Sequence, residues 1–196
     1  MFFSLFILFL SIENTTKMRK ITNLELHRPS AEQFAQMNRL PVTVVLDNVR
    51  SAQNVGAFFR TCDAFAIEHI ALCGITSTPP SRDIHKTALG AEMTIDWSYY
   101  ENTVECVEKL KAEGYTLLAI EQVEGAVMLD ELSVDPTKRY ALVFGNEVAG
   151  VEQSVVDLCD GAIEIPQVGT KHSINVSVAG GVVLWPFFVG LKSLLK

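Results

Sequence analysis

Positive charge is scarce in this sequence: 16 lysines and arginines stand against 23 aspartates and glutamates in 196 residues, a formal net charge of -7. That excludes a uniformly basic coat and argues against nucleic acid as a partner of the surface as a whole. Cysteine is sparse too. Cys62, Cys73, Cys106 and Cys159 lie far apart with no CxxC, so they read as free buried thiols in a reducing compartment. With four scattered histidines and no HExxH, nothing has zinc-ligand spacing and no metal is expected. There is no GxGxxG after a strand and no GxxxxGK, which excludes a dinucleotide-binding Rossmann domain and a P-loop. The absence of GxSxG excludes a hydrolase nucleophile elbow.

Long apolar runs are confined to the two ends. Phe2 to Ile12 is almost wholly apolar but falls short of the roughly 20 residues of a span. No positive charge precedes it and no small-x-small cleavage site follows. A charged segment opens at Met18-Arg19-Lys20. Translation is therefore expected to start at Met18, residues 1–17 being a start-site artefact or a disordered N-terminal segment, with a real signal or anchor as the rival. The second run, Val176 to Leu191, contains Gly180, Gly181 and Pro186. It fits a helix buried in a soluble domain or a subunit interface, with no stable membrane association.

Between these ends, strands and helices alternate. Val42–Leu46 reads as a buried parallel strand. Further strands are expected at His69–Cys73, Thr94–Trp97, Thr116–Ile120, Tyr140–Phe144 and Ala162–Ile165. Helices are expected at Asn54–Ala66, at Thr103–Ala112 with Gly114 closing it, and from Ser173 or Asn175 onward. Gly74 to Arg82 reads as a loop because of its Thr, Ser and paired prolines. Residues 18–40 form a short arm with a helix near Ala31 to Met37, where Ser30 and Gln33 have capping-box spacing. The pattern is an α/β domain over 41–196 with a mainly parallel sheet covered on both faces.

Three polar clusters follow strand ends, where ligands of open α/β sheets bind. The first runs from Asp47 to Thr61. In it Asn54 can cap the helix, Gly56 allows close approach of another backbone or a ligand, and Arg60 shares a face with Gly56. Asn54 reads either as a plain cap or as a functional amide, and Arg60 as a surface ion pair or a functional cation. The second is Phe144-Gly145-Asn146-Glu147-Val148-Ala149-Gly150-Val151. Gly145 would let a ligand touch the backbone. Glu147 could lock a neighbouring loop, lock a basic residue of another subunit, or sit solvated near a helix start. The third runs from Ile165 to Ala179. Its Ser173, Asn175 and Ser177 are too many polar groups for an ordinary buried helix start, while Lys171 and His172 could be exposed loop residues. Residues 101–161 carry four basic against thirteen acidic residues, whereas Arg50, Arg60, Arg82, Lys86 and Lys171 lie in or near the clusters. A local basic path on an acidic body is thus allowed.

The stretches NVGAFFRT (54–61), LVFGNEVAGV (142–151) and IPQVGTKHSINVSVA (165–179) resemble the three motifs of the SpoU (TrmH-like) family of RNA ribose 2'-O-methyltransferases, in the SPOUT superfamily. HKTALGAE (85–92) resembles its middle section, and the likeness spans about Pro41 to Leu184. The resemblance implies a trefoil-knotted α/β fold, S-adenosylmethionine as cofactor, RNA as partner with transfer RNA favoured over ribosomal RNA, a homodimer, and a cytoplasmic enzyme. It implies that Gly145, Ile165 and Ile174 contact the cofactor through the backbone. Asn54 and Arg60 fall on the catalytic face, and Glu147, Ser173 and Asn175 complete the polar signature. Arg50, Arg60, Arg82, Lys86 and Lys171 are the expected RNA contacts. Two departures stand out. Val148 replaces a common glycine, and Pro186 in Trp185-Pro186-Phe187-Phe188 should kink or stop the last helix. A knotted RNA-binding or assembly protein without catalysis is the alternative, against which the intact Asn54 and Arg60 argue.

Overall fold

A computed structural model describes residues 18–195; the reading of residues 1–17 lies outside them. Within the arm, Ala31–Gln36 forms helix α1 with the expected capping box between Ser30 and Gln33. Its Phe34 is buried in the main core and lies under the Arg39 guanidinium.

Seven strands form one sheet in the order β3-β2-β1-β6-β4-β7-β5: β1 (Leu40–Asp47), β2 (Ile67–Cys73), β3 (Asp96–Tyr100), β4 (Tyr115–Ile120), β5 (Val127–Met128), β6 (Arg139–Phe144) and β7 (Gly161–Glu164). Every strand pairing in it is parallel. Parallel strands need crossovers that cover the faces. The remaining helices do this: α2 (Ala52–Ala64), α3 (Arg82–Ala88), α4 (Thr103–Ala112), α5 (Gln153–Val156) and α6 (Val176–Leu191). The strand period of two then sorts β1. Val42, Val44 and Leu46 enter one core with Phe58, Phe59, Val183, Leu184 and Phe187, while Val45 enters the other with Cys106, Val107, Leu110 and Val155.

Three expectations shift. The stretch read as a loop to Arg82 ends at Ser81, whose hydroxyl accepts from the Ile84 N–H and starts α3. The third strand begins at Asp96, because a 3-10 turn over Ala91–Met93 is closed at Thr94 by hydroxyl bonds to the Ala91 carbonyl and Asp63. The last helix does not stop at Pro186. It continues to Leu191, held by burial of Val183, Leu184, Phe187 and Leu191, whose packing outweighs one lost backbone bond.

Close approaches draw α2 into position. A Cβ at Gly56 would overlap Thr87 and the Ile84 carbonyl of α3, and one at Gly180 would overlap the Phe58 ring. The glycines thus bring α3 and α6 against α2, which fixes the helix carrying Asn54 and Arg60 relative to α6.

Candidate active site

The C-terminal ends of β4, β6 and β7 open into a cleft of about 510 Å³. Ile120, Phe144 and Ile163 form its floor from the strand ends, and the segment from Ile165 to Val176 forms much of its wall. The expected cofactor residues Gly145, Ile165 and Ile174 all line it, as do Glu147, Ser173 and Asn175.

Hydrogen bonds tie the three clusters together at the rim of this cleft. Helix α2 is capped by Ser51, whose hydroxyl accepts from the Asn54 N–H. Asn54 is therefore not the cap, and its side chain is free for other work. Its Nδ2 donates to Glu147 Oε1 at 2.9 Å, and its Oδ1 accepts from Asn175 Nδ2 at 3.1 Å. Ser177 Oγ also reaches Asn54 Oδ1 at 3.4 Å. Asn175 meanwhile caps α6 through its Oδ1, which accepts from the Ser177 and Val178 N–H groups. Ser173 remains in the loop. Glu147 Oε2 accepts from the Arg50 N–H at 3.3 Å. Of the readings open for Glu147, this geometry selects the lock on a neighbouring loop.

Burial pushes the Glu147 carboxyl up, but its own N–H, the Asn54 amide and the N–H groups of Arg50 and Ser51 outweigh this and hold it below the ordinary 4.5. The sign follows. A carboxylate with a lowered folded-state pKa adds stability above its unfolded pKa and loses it as pH falls through the lowered value. Resistance to unfolding should therefore be fully present above about pH 5 and fall in acid as Glu147 protonates, and Glu147→Gln should reduce that acid-side loss. Thermal unfolding across pH checks both expectations.

Gly145 sits where a side chain has no room. A Cβ there would overlap the Gly150–Val151 peptide of the following turn rather than reach into the cleft. That turn is closed by paired backbone bonds between Asn146 and Gly150, both 2.9 Å. Asn146 Oδ1 accepts from the Val148 N–H, and its Nδ2 donates to the Asn48 carbonyl at 2.8 Å. Val148 needs no glycine here, since Gly150 takes the positive φ of 69°.

The expected cations are distributed differently. Arg50, Arg60, Arg82, Lys86 and Lys171 are all exposed, and none lines the cleft. Lys86 pairs with Asp83 at 2.7 Å. Among the described residues Arg60 has neither a hydrogen-bond nor an ion-pair partner, so the surface ion pair read as its alternative is not formed. The cleft itself carries Glu121, Glu147 and Glu164, with no lysine or arginine. Its charge suits a cationic ligand, and no group of His, Cys, Asp and Glu that could hold a metal ion occurs among the described residues.

Sequence reasoning missed the support beneath the site. Asp47 is fully buried at the end of β1. It accepts from Thr103 Oγ1 at 2.6 Å, from Asn48 Nδ2 at 2.9 Å and from the Glu152 N–H at 3.1 Å. Asn48, at a positive φ of 56°, also bonds Glu152 and the Ile75 N–H. A buried carboxylate satisfied without a cation is the signal that could have been sought at a strand end.

Residues 41–185 match the SpoU rRNA methylase family. The tRNA (guanosine(18)-2'-O)-methyltransferase of Thermus thermophilus is 34% identical over 161 residues, covering 82% of this chain and 81% of that protein. A TrmH/SpoU tRNA-modifying enzyme from A. aeolicus superposes with a TM-score of 0.74 at 27% identity, covering 84% of this chain and 82% of that one. An AdoMet-bound rRNA methyltransferase from Sinorhizobium meliloti gives a TM-score of 0.71 at 28% identity, covering 86% of this chain and 62% of that one. With its three clusters joined at one cleft and these likenesses beside them, the chain belongs to the SpoU/TrmH family of the SPOUT superfamily.

Proposed function

We propose that this chain is an S-adenosylmethionine-dependent methyltransferase acting on a ribose 2'-hydroxyl of structured RNA, with transfer RNA as the substrate class. The observation that carries the reading is the hydrogen-bonded chain from Glu147 through Asn54 to Asn175, which closes three distant segments over one acidic cleft. The residues fit the cofactor. The apolar walls at Ile165, Ile174 and Val176 suit an adenosyl group, and the carboxylates suit its positive charge. S-adenosylmethionine supplies a methyl group already activated by its sulfonium, so no metal is required.

The remaining task is alignment and charge control. Gly145, Ile165 and Ile174 hold the cofactor through backbone groups, with Ser173 beside them, while Glu147 and Asn175 keep the loops in shape. Alignment of donor and acceptor contributes up to about 7–11 kcal/mol in ideal cases. Arg60 stands six residues beyond Asn54, about 9 Å further along α2, and is exposed there; in this reading the acceptor ribose docks against that stretch of α2. There a guanidinium orients the hydroxyl or an adjacent phosphate and stabilises developing oxyanion charge. The guanidinium supplies donors and no acceptor, so the hydroxyl proton passes to a phosphate oxygen or water. Arg50, Arg82, Lys86 and Lys171 attract the RNA backbone locally despite the acidic whole.

The likeness to solved relatives supports the trefoil knot, with α6 tucked through a loop. An exposed apolar face of α6 supports a homodimer through that helix. Val178, Val182, Trp185 and Val189 are 40 to 55% exposed and recur at four-three-four spacing along one face. Val182→Asp is expected to turn a micromolar dimer into a monomer in sedimentation; a wild-type monomer would refute this interface. By length and composition 176–195 is also apolar enough to cross a membrane. Its cap lies in the site and its other face is core, which supports a cytoplasmic location, as do the free thiols.

The test is calorimetric titration with S-adenosylmethionine followed by labelled-methyl transfer to total RNA. Saturable binding and transfer are expected. Binding without transfer to any RNA would favour a non-catalytic knotted protein instead.

A further inference from the structure

We propose that Glu121 and Gln122, at the end of β4 and outside all three motifs, are positioning residues that clamp the two cofactor loops to each other. The inference rests on the reading of the cleft as the S-adenosylmethionine site. Both residues line that cleft. Glu121 Oε2 accepts from the Val151 N–H at 3.0 Å, across the turn that Gly145 opens. Its Oε1 accepts from the Gln122 N–H at 2.8 Å, which fixes the carboxylate plane. A Cβ at Gly150 would overlap this carboxylate, so glycine there admits the clamp as well as the positive φ. Gln122 reaches the other way. Its Nε2 donates to the His172 carbonyl at 3.1 Å, inside the loop between β7 and α6.

Two adjacent side chains thus grip opposite walls from one rigid strand end. The Val151 N–H belongs to a turn that has left the sheet, its side chain buried in the core, and the His172 carbonyl belongs to a loop with no regular structure. Backbone groups that contact a ligand are only as well placed as the segments carrying them. Neither β6 nor β7 holds these loops in this way, because both segments have already left their strands. A carboxylate has four lone-pair positions. Glu121 uses one on the Val151 N–H and one on the Gln122 N–H.

The test is calorimetric titration of the full chain with S-adenosylmethionine, with thermal unfolding of each variant. Wild type sets the reference. If it does not bind, the reading of the cleft fails and this inference with it. Glu121→Ala is expected to weaken binding about 10-fold or more, and Gln122→Ala about 3-fold or more. Glu121→Gln keeps an acceptor for the Val151 N–H and should restore affinity to within about 3-fold of wild type. A melting temperature unchanged in Gln122→Ala separates positioning from general support of the fold. Wild-type affinity in folded Glu121→Ala would overturn the clamp. So would Glu121→Gln binding as weakly as Glu121→Ala, which would assign the effect to charge. Should Glu121→Ala not fold, Gln122→Ala decides, since it removes one exposed bond; unchanged affinity there overturns the proposal.

Discussion

Alanine at Arg60 is expected to lower the single-turnover rate of methyl transfer by about 100- to 1000-fold, the usual effect of removing one donor to a developing oxyanion. Saturating RNA and cofactor are used, so that binding no longer limits the rate. Arg60 is exposed on α2 and has no partner among the described residues, so its removal leaves no buried group unpaired. Cofactor affinity should hardly change, because the Arg60 side chain does not line the cleft. An interaction made only in the transition state lowers the maximal rate even at saturation. Lysine at the same position keeps the charge but not the planar fork, and should recover only part of the rate. If Arg60→Ala keeps the wild-type single-turnover rate and loses only RNA affinity, Arg60 is a docking residue.

Gly145→Ala should weaken S-adenosylmethionine binding by up to about 100-fold. The cause is indirect. The added methyl meets the Gly150–Val151 peptide, so the turn must open, and with it the Asn146–Gly150 pairing and the Glu121 contact to Val151. Overpacking of this kind typically costs about 1–3 kcal/mol, and a lowered melting temperature should accompany the lost affinity. Gly181→Ala makes the same chemical change on α6 where nothing lies within 4 Å, and should bind normally. Wild-type affinity in a folded Gly145→Ala would show that the turn is not part of the site.

The sheet and the site were legible in the sequence to different depths. The β-branched run Val42–Leu46 and the apolar run Tyr140–Phe144 announce buried parallel strands, because both of their faces are covered. The polar clusters announce themselves by following those strands. The two-residue β5 has no period to read, and α3 was hidden by the prolines before it, since only Ser81 marks its start. Asn54 reads in the sequence either as a plain cap or as a functional amide, and the structure gives the cap to Ser51. Which of Ser51 and Asn54 accepts the first bond depends on where α2 begins, and boundaries are the least legible feature of a helix. The Glu121–Gln122 pair could not be found by motif. Its role arises only when β4 lies between β6 and β7, a neighbour order that no local pattern encodes. The net charge of -7 points away from nucleic acid, yet the carboxylates gather partly in the cleft at the ends of β4, β6 and β7, while Arg50, Arg60, Arg82 and Lys171 are exposed and outside it.

The central claim is the chemistry itself: methyl transfer to a ribose oxygen of RNA. Its most direct measurement is nucleotide-resolution mapping of 2'-O-methylation in cellular RNA after deletion of the gene, with rescue by the wild-type chain and by Arg60→Ala. Loss of 2'-O-methylation at a defined nucleotide, in a transfer RNA, restored by the wild type and not by Arg60→Ala, is the expected result. An unchanged ribose methylation map, or loss of a methyl group from a base instead, would contradict it.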